Sequence, residues 1–264
     1  MSAEAPGIKI AYAGEIAIVY FNQPQKHNAM TLSMWQETTQ AFQEFQQRSD
    51  IKVIVMAGAG DRAFVSGADI SEFKDKRNNA EKAREYAQIS EQARQAMIAI
   101  EKPLIAMIQG YCFGAGLDIA MRADIRIASD AAVFSIPAAK LGIAYGVESI
   151  QLLTALVGPT HAKDILFTAK RIDSSHAQHI GLVNECVAQE KLYEHTLSYA
   201  RRIAQLAPLT HRASKAVVNA CLQNPDEQKQ KQLQALIDSC FASRDYQEGQ
   251  QAFKEKRTPE FLGK

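Results

Sequence analysis

The stretch G110-Y-C-F-G-A-G-L-D118 sets glycines on both sides of Ala115 and then an aspartate at the head of an apolar run. Glycine weakens a helix, so Gly114 and Gly116 at a helix start need a reason. One reason is chemical. Small residues let a ligand approach the backbone, and the first free N–H groups of a helix can hold a developing negative charge. The other is structural: a tight strand-to-helix turn, with an acid where the helix macrodipole favours one. The stretch S66-G-A-D69 repeats the pattern of small residues followed by an acid. Each turn follows an apolar run that reads as a buried parallel strand, and open α/β sheets bind ligands beyond the carboxyl ends of such strands. A pair of N–H donors meeting there makes an oxyanion hole.

Two apolar runs lead into these turns, I51-K-V-I-V-M-A-G58 and P103-L-I-A-M-I-Q-G110, and D124-I-R-I-A128 is a third of the same kind. Being short and apolar almost throughout, they read as strands covered on both faces. A hairpin over 8–21 precedes them, breaking at Ala13-Gly14, and a loop over 22–30 follows it. Helical spacing predicts a helix over 31–48 through Trp35, Thr38, Phe42 and Phe45, and another over 83–100 through Tyr86, Ile89, Ala93, Met97 and Ile100. Alternating strands and helices indicate an α/β layout with crossover connections. After about Leu206 the pattern turns purely helical, over 213–222, 226–241 and 246–256, with the link Q223-N-P-D-E227. The expected organisation is a core over 1–205 and a helical oligomerisation region over 206–264. The charge-dense run K74-D-K-R-N-N-A-E-K-A-R84 reads as a solvated helix start or mobile loop.

With hydrophobic residues at 47% of 264, the chain can bury one substantial core. Its 30 Lys and Arg against 29 Asp and Glu leave no global field for nucleic acid or an anionic membrane. The start M1-S-A-E-A-P-G7 has no basic flank leading into an apolar segment, and no run reaches the roughly 18 apolar residues that span a bilayer. The expectation is a cytoplasmic protein with no nucleic-acid or membrane partner. Cys112, Cys186, Cys221 and Cys240 are far apart and lack zinc spacing, so they read as reduced thiols, and no metal is expected.

The segments A63-F-V-S-G-A-D-I70, K102 through A128, L166-F-T-A-K-R-I-D173 with G181-L-V-N-E185, and E248 through F261 resemble, in order and spacing, the crotonase or enoyl-CoA hydratase/isomerase family. That resemblance covers nearly the whole chain. It implies an α/β spiral of ββα units, a C-terminal helical trimerisation region, a homotrimer or dimer of trimers, and an acyl-CoA thioester as substrate. Coenzyme A enters as part of the substrate, with no separate cofactor. The oxyanion donors it implies are the amides of Ala68 and Ala115, set beside Gly67 and Gly114. It also directs CoA to the loop Lys26-His27-Asn28-Ala29-Met30 and to Ala68-Asp69-Ile70, with Lys256 or Arg257 reaching phosphate across a subunit boundary.

The acids depart from the family. Typical hydratases place glutamates at the positions of Asp118 and Ala138, and alanine can move no proton. Tyr145, Glu148 and Lys140 are the nearby side chains from which a replacement would come. The stretch F134-S-I and L141-G-I-A-Y145 is similar to a branch that includes methylmalonyl-CoA decarboxylase, although that branch carries histidine at the position of Ala68. The favoured expectation is enoyl-CoA hydratase/isomerase-type lyase chemistry with Asp118 as the remaining acid/base. The alternatives are decarboxylation of a malonyl-type CoA thioester, with Tyr145 orienting the carboxylate, and a non-catalytic acyl-CoA binder.

Overall fold

The computed structural model describes residues 5–76, 78–222 and 225–264. Residues 1–4, Arg77 of the charge-dense run and residues 223–224 of the link lie outside them. The expected hairpin is formed by β1 (Gly7–Ala13) and β2 (Ile16–Asn22), antiparallel with Ala13 opposite Ile16. Then α1 (Leu32–Gln47) starts where the Thr31 hydroxyl accepts the Met34 amide at 3.2 Å, and it buries Trp35, Thr38, Phe42 and Phe45, the stripe read from the sequence.

The next six strands come in pairs: β3 (Val53–Gly58) with β4 (Ala63–Val65), β5 (Leu104–Ile108) with β6 (Tyr111–Phe113), and β7 (Ile125–Ser129) with β8 (Val133–Ser135). They are followed by β9 (Ile172–Asp173) and β10 (Glu185–Val187). The first strand of each pair joins a six-stranded sheet of order β1-β2-β3-β5-β7-β10, and the second joins a four-stranded sheet of order β4-β6-β8-β9. Helices close the units: α2 (Phe73–Lys76) and α3 (Ala80–Ala99) follow β4, α4 (Ala115–Met121) follows β6, and α5 (Ala138–Leu141) with α6 (Val147–Thr168) follows β8. This is the expected spiral of ββα units. Helix α3 begins three residues before the expected 83 because Asn79 caps it, accepting from Lys82 N at 2.9 Å.

The apolar strand runs have a physical cause. Alternate residues face opposite sides of the larger sheet, so Ile54, Met56, Leu104 and Ala106 pack with Trp35, Phe42 and Tyr86. Their neighbours Val53, Val55, Ile105 and Met107 pack instead with Leu192, Leu197 and Ala200 of α8 (Leu192–Ala204), a helix reached through α7 (Ser174–His179). Burying each such side chain contributes about 1.5–3 kcal/mol.

After Leu206 only helices follow: α9 (Pro208–Cys221), α10 (Glu227–Phe241) and α11 (Arg244–Glu255). Helix α9 starts five residues before the expected 213, because Pro208 occupies the first turn, where a missing N–H costs nothing. The tail is tied to the sheets by Lys215 Nζ to Asp124 Oδ2 (2.8 Å) and Lys52 Nζ to Phe261 O (3.0 Å). Among the described residues, no helix is long and apolar enough to cross a membrane.

Candidate active site

Three neighbouring strands of the smaller sheet, β4, β6 and β8, run parallel, with Ala63 opposite Tyr111 and Phe113 opposite Ser135. Their carboxyl ends therefore lie side by side. From them issue Ser66-Gly67-Ala68-Asp69, Gly114-Ala115 and Ile136-Pro137-Ala138. The sequence reading placed each small-residue turn directly after a buried strand of the larger sheet. Each instead follows a three-residue strand of the smaller one, too short to show an alternation of its own.

Both glycines around Ala115 are now explained. Gly114 adopts φ 54° and ψ −115°, which disfavours any side chain, and its amide donates to Ser135 O at 2.9 Å. A methyl on Gly114 would stand 3.7 Å from the Tyr145 hydroxyl, 3.9 Å from Gly67 Cα and 4.0 Å from Pro137 Cδ, so the three strand ends converge on one point. A methyl on Gly116 would lie 2.0 Å from Val65 O, which means α4 starts against the main chain of β4.

Ala115 is the first residue of α4, and the first helical bond back comes from Asp118 N to Gly114 O at 3.0 Å. Its amide is thus one of the first-turn donors that have no acceptor within the helix. Ala68 bridges Met30: Met30 N donates to Gly67 O and Asp69 N donates to Met30 O, both at 2.8 Å. In such a parallel bridge the N–H of the central residue points away from the partner strand. Two main-chain donors are therefore carried on adjacent turns.

Asp118 lies one turn into α4, buried and clasped on both sides. Arg94 Nε of α3 donates to Oδ2 at 2.7 Å, and Arg122 Nη1 donates to Oδ1 at 2.6 Å. Burial pushes this carboxyl up, but the positive charges of Arg122 and Arg94 and the Ser149 hydroxyl outweigh it, leaving the group below its ordinary range. Burial, and next the negative charge of Asp118, push the Tyr145 phenol well above its usual value, which favours the neutral hydroxyl beside the Gly114 turn. Ala138 is buried at the start of α5 and offers no polar atom to replace a glutamate. Glu148, in the first turn of α6, faces Arg122 Nη2 at 3.5 Å and Gln95 Nε2 at 3.4 Å. Lys140 is exposed.

The loop expected to receive CoA is braced from within. Lys26 Nζ donates to Asp69 Oδ2 (2.8 Å) and Ser71 Oγ (2.7 Å). Asn28 is fully buried; its amide donates to Ala59 O and Ala63 O, and its Oδ1 accepts from Gln23 N. Its main-chain N–H is committed as well, donating to Gln23 O at 2.9 Å. The Ala29 carbonyl is likewise taken, by Gln23 Nε2 at 2.8 Å. Burial would raise the Asp69 carboxyl, but Lys26, Ser71 and Gln23 hold it below its ordinary value. Ile70 stands 66% exposed on the rim of this turn. In the tail, Glu248 clasps Arg257 at 2.5 and 2.8 Å and Glu255 holds it at 2.7 Å, whereas Lys256 ends α11 in the left-handed region, exposed.

Sequence reasoning missed Arg94, Arg122 and Gln23. Arg122 was findable, since it stands four residues beyond Asp118 on one helix, the spacing of an ion pair. Arg94 was not, because it arrives from another helix.

The chain matches the Enoyl-CoA hydratase/isomerase family over residues 12–264. It is 35% identical over 250 residues to the crotonyl-CoA hydratase of Syntrophomonas wolfei subsp. wolfei, covering 95% of each chain. To the short-chain-enoyl-CoA hydratase of Clostridium acetobutylicum it is 34% identical, covering 92% of this chain and 93% of that one. Among solved structures it is similar to an enoyl-CoA hydratase/carnithine racemase from Magnetospirillum magneticum (TM-score 0.90, 33% identity, 97% and 96% covered). It is also similar to the enoyl-CoA hydratase from Bacillus anthracis (TM-score 0.91, 28% identity, 97% and 99% covered). With the family matched over nearly its whole length and the same fold throughout, the chain belongs to the enoyl-CoA hydratase/isomerase family.

Proposed function

We propose that the chain is an acyl-CoA enzyme that adds water to an enoyl-CoA, holding the thioester oxygen on the amides of Ala68 and Ala115. The observation that carries this reading is the convergence at Gly114, where the two donor turns and the Tyr145 hydroxyl meet. Water bonds to C3 of the enoyl group while its proton passes to Asp118. The C2=C3 electron pair moves toward the thioester, whose oxygen becomes an enolate held by the two amides. The enolate then takes the proton back from Asp118 at C2, yielding the 3-hydroxyacyl-CoA and restoring the carboxylate. One oxyanion donor is worth about 3–4 kcal/mol in other enzymes. Tyr145 donates its hydrogen to the substrate near that oxygen. Neither the malonyl-type decarboxylase nor the non-catalytic binder is favoured by the hydratase names of the relatives.

CoA lies along the main chain of 26–30 and 67–70, with Ile70 over it. Lys256 is the tail cation for phosphate, since Arg257 is already committed to Glu248 and Glu255. Self-association belongs to the same proposal. Helices α9 to α11 line an apolar groove of about 850 Å³ that includes Val218, Ile237, Phe241 and Phe253, and Phe253 is 86% exposed. A second copy of the chain covers this face, and light scattering at micromolar concentration checks it; a monomeric mass refutes it. A reducing, cytoplasmic location with its four cysteines as thiols belongs to the same reading. The activity is tested by loss of the enoyl absorbance of crotonyl-CoA and by calorimetry with acetyl-CoA. Hydration with saturable binding is expected, and no binding at millimolar ligand overturns the reading.

A further inference from the structure

Asp118 is held more tightly than a lone proton carrier requires. Arg94 reaches it from α3, and Arg122 from the next turn of α4, where Nη1 also donates to the Asp118 carbonyl at 2.6 Å. Ser149 of α6 and Tyr145 of the preceding loop face it as well. Behind this first ring, Glu91 lies 3.5 Å from Arg94 and Glu148 lies 3.5 Å from Arg122. The Arg122 side chain is wholly buried; its Nε has no hydrogen-bond partner among the described residues, and its Nη2 has only the 3.5 Å ion pair with Glu148. A buried cation with unmatched donors destabilises a fold, and replacing buried ion pairs by apolar side chains is often neutral or stabilising. Packing alone gives no reason for arginine here. The carboxylate does.

We propose that Arg94 and Arg122 are positioning residues for the reaction: they aim the Asp118 carboxylate at the acyl group and supply the positive charge against which Asp118 gives up its proton. This rests on the reading of Asp118 as the proton carrier. With alanine at 138, one acid must both take the proton from water and return it to C2. Flanking guanidinium groups make uptake harder and return easier, so the site is reset to carboxylate on every turnover without a second acid.

The test uses Arg94→Gln, Arg122→Gln and Arg122→Lys in protein carrying ¹³C-labelled aspartate carboxyls. The Asp118 resonance is identified by its absence from Asp118→Asn, and its titration is followed beside the pH dependence of kcat/KM for crotonyl-CoA. In both glutamine variants the resonance should titrate at higher pH and the acid limb of kcat/KM should move with it. Loss of kcat should fall between about tenfold and a hundredfold, the cost of a misplaced group, at nearly constant KM. Arg122→Lys should recover part of each effect, because it restores the charge. If Arg122→Gln does not fold, Arg94→Gln on the partly exposed side carries the test. An Asp118 titration unmoved in the folded variants overturns the proposal. A titration that moves in an enzyme silent on crotonyl-CoA keeps the arginine clamp and overturns the hydratase reading instead.

Discussion

Alanine at Gly116 probes the spacing on which the proposed oxyanion site depends. Its methyl would lie 2.0 Å from Val65 O and 2.9 Å from Val65 Cβ, whereas non-bonded carbons settle at about 3.5–4.0 Å. The closest of these atoms is main chain, on a strand paired to β6, so it cannot swing aside. Helix α4 must therefore move away from β4 by on the order of 1 Å, an overpacking that costs about 1–3 kcal/mol. Melting temperature should fall by roughly 2–4 °C for each kcal/mol, the scale for chains of about 150–250 residues. Function should suffer more. Val65 leads into Ala68 and Gly116 follows Ala115, so the same displacement separates the two amides. Donors must lie about 2.7–3.1 Å from the oxyanion, and a misplacement of about 1 Å costs about a hundredfold. Thermal melting and the initial rate of crotonyl-CoA hydration, with circular dichroism to confirm the fold, measure both effects. Gly116→Ala with wild-type melting and wild-type kcat would refute the claim that this contact sets the site.

Asp118→Asn should lower kcat by at least about two orders of magnitude, the usual worth of a general acid–base, and Tyr145→Phe should cost less; the reverse order would move proton handling to the phenol. The same Asp118→Asn change leaves Arg94 and Arg122 without their carboxylate and should destabilise the chain by about 3–5 kcal/mol, read by denaturant unfolding near neutral pH. Because the folded Asp118 sits below the ordinary value of 3.8, its contribution is complete above about that pH and disappears as pH falls through the folded value; the wild-type and Asn curves should converge only in that acid range. Ala138→Glu should raise hydratase turnover, since it returns a carboxylate to the end of β8 beside Pro137, and an unchanged rate would count against a hydratase-like substrate pose.

The central strands of the larger sheet were legible because both faces are covered there, which forces runs such as Val53 to Gly58 to be apolar at every position, whereas its edge strand Glu185–Val187 was not read. The smaller sheet was not, since Ala63–Val65 and Tyr111–Phe113 are too short to carry a period. Small residues around Ala68 and Ala115 marked the donor turns in the sequence. Their meeting depends on the pairing of β4 with β6, which joins residues nearly fifty positions apart. Asp118 could be named as the remaining acid, but its clasp by Arg94 is a contact between helices. Asn28 stood out as a loop residue near the expected CoA path. Its side chain proves to be a brace, because its partners Ala59 and Ala63 lie more than thirty residues away.

The most direct test of the account is the infrared carbonyl stretch of butyryl-CoA labelled with ¹³C at the thioester carbon, compared free in water and bound to the enzyme. A saturated thioester cannot be hydrated, so the bound state persists. Two main-chain donors aimed at the oxygen draw charge onto it and weaken the C=O bond, so the band should move to lower frequency on binding and return toward the free value in Gly116→Ala. A bound band at the frequency seen in water would contradict an oxyanion hole built from Ala68 and Ala115.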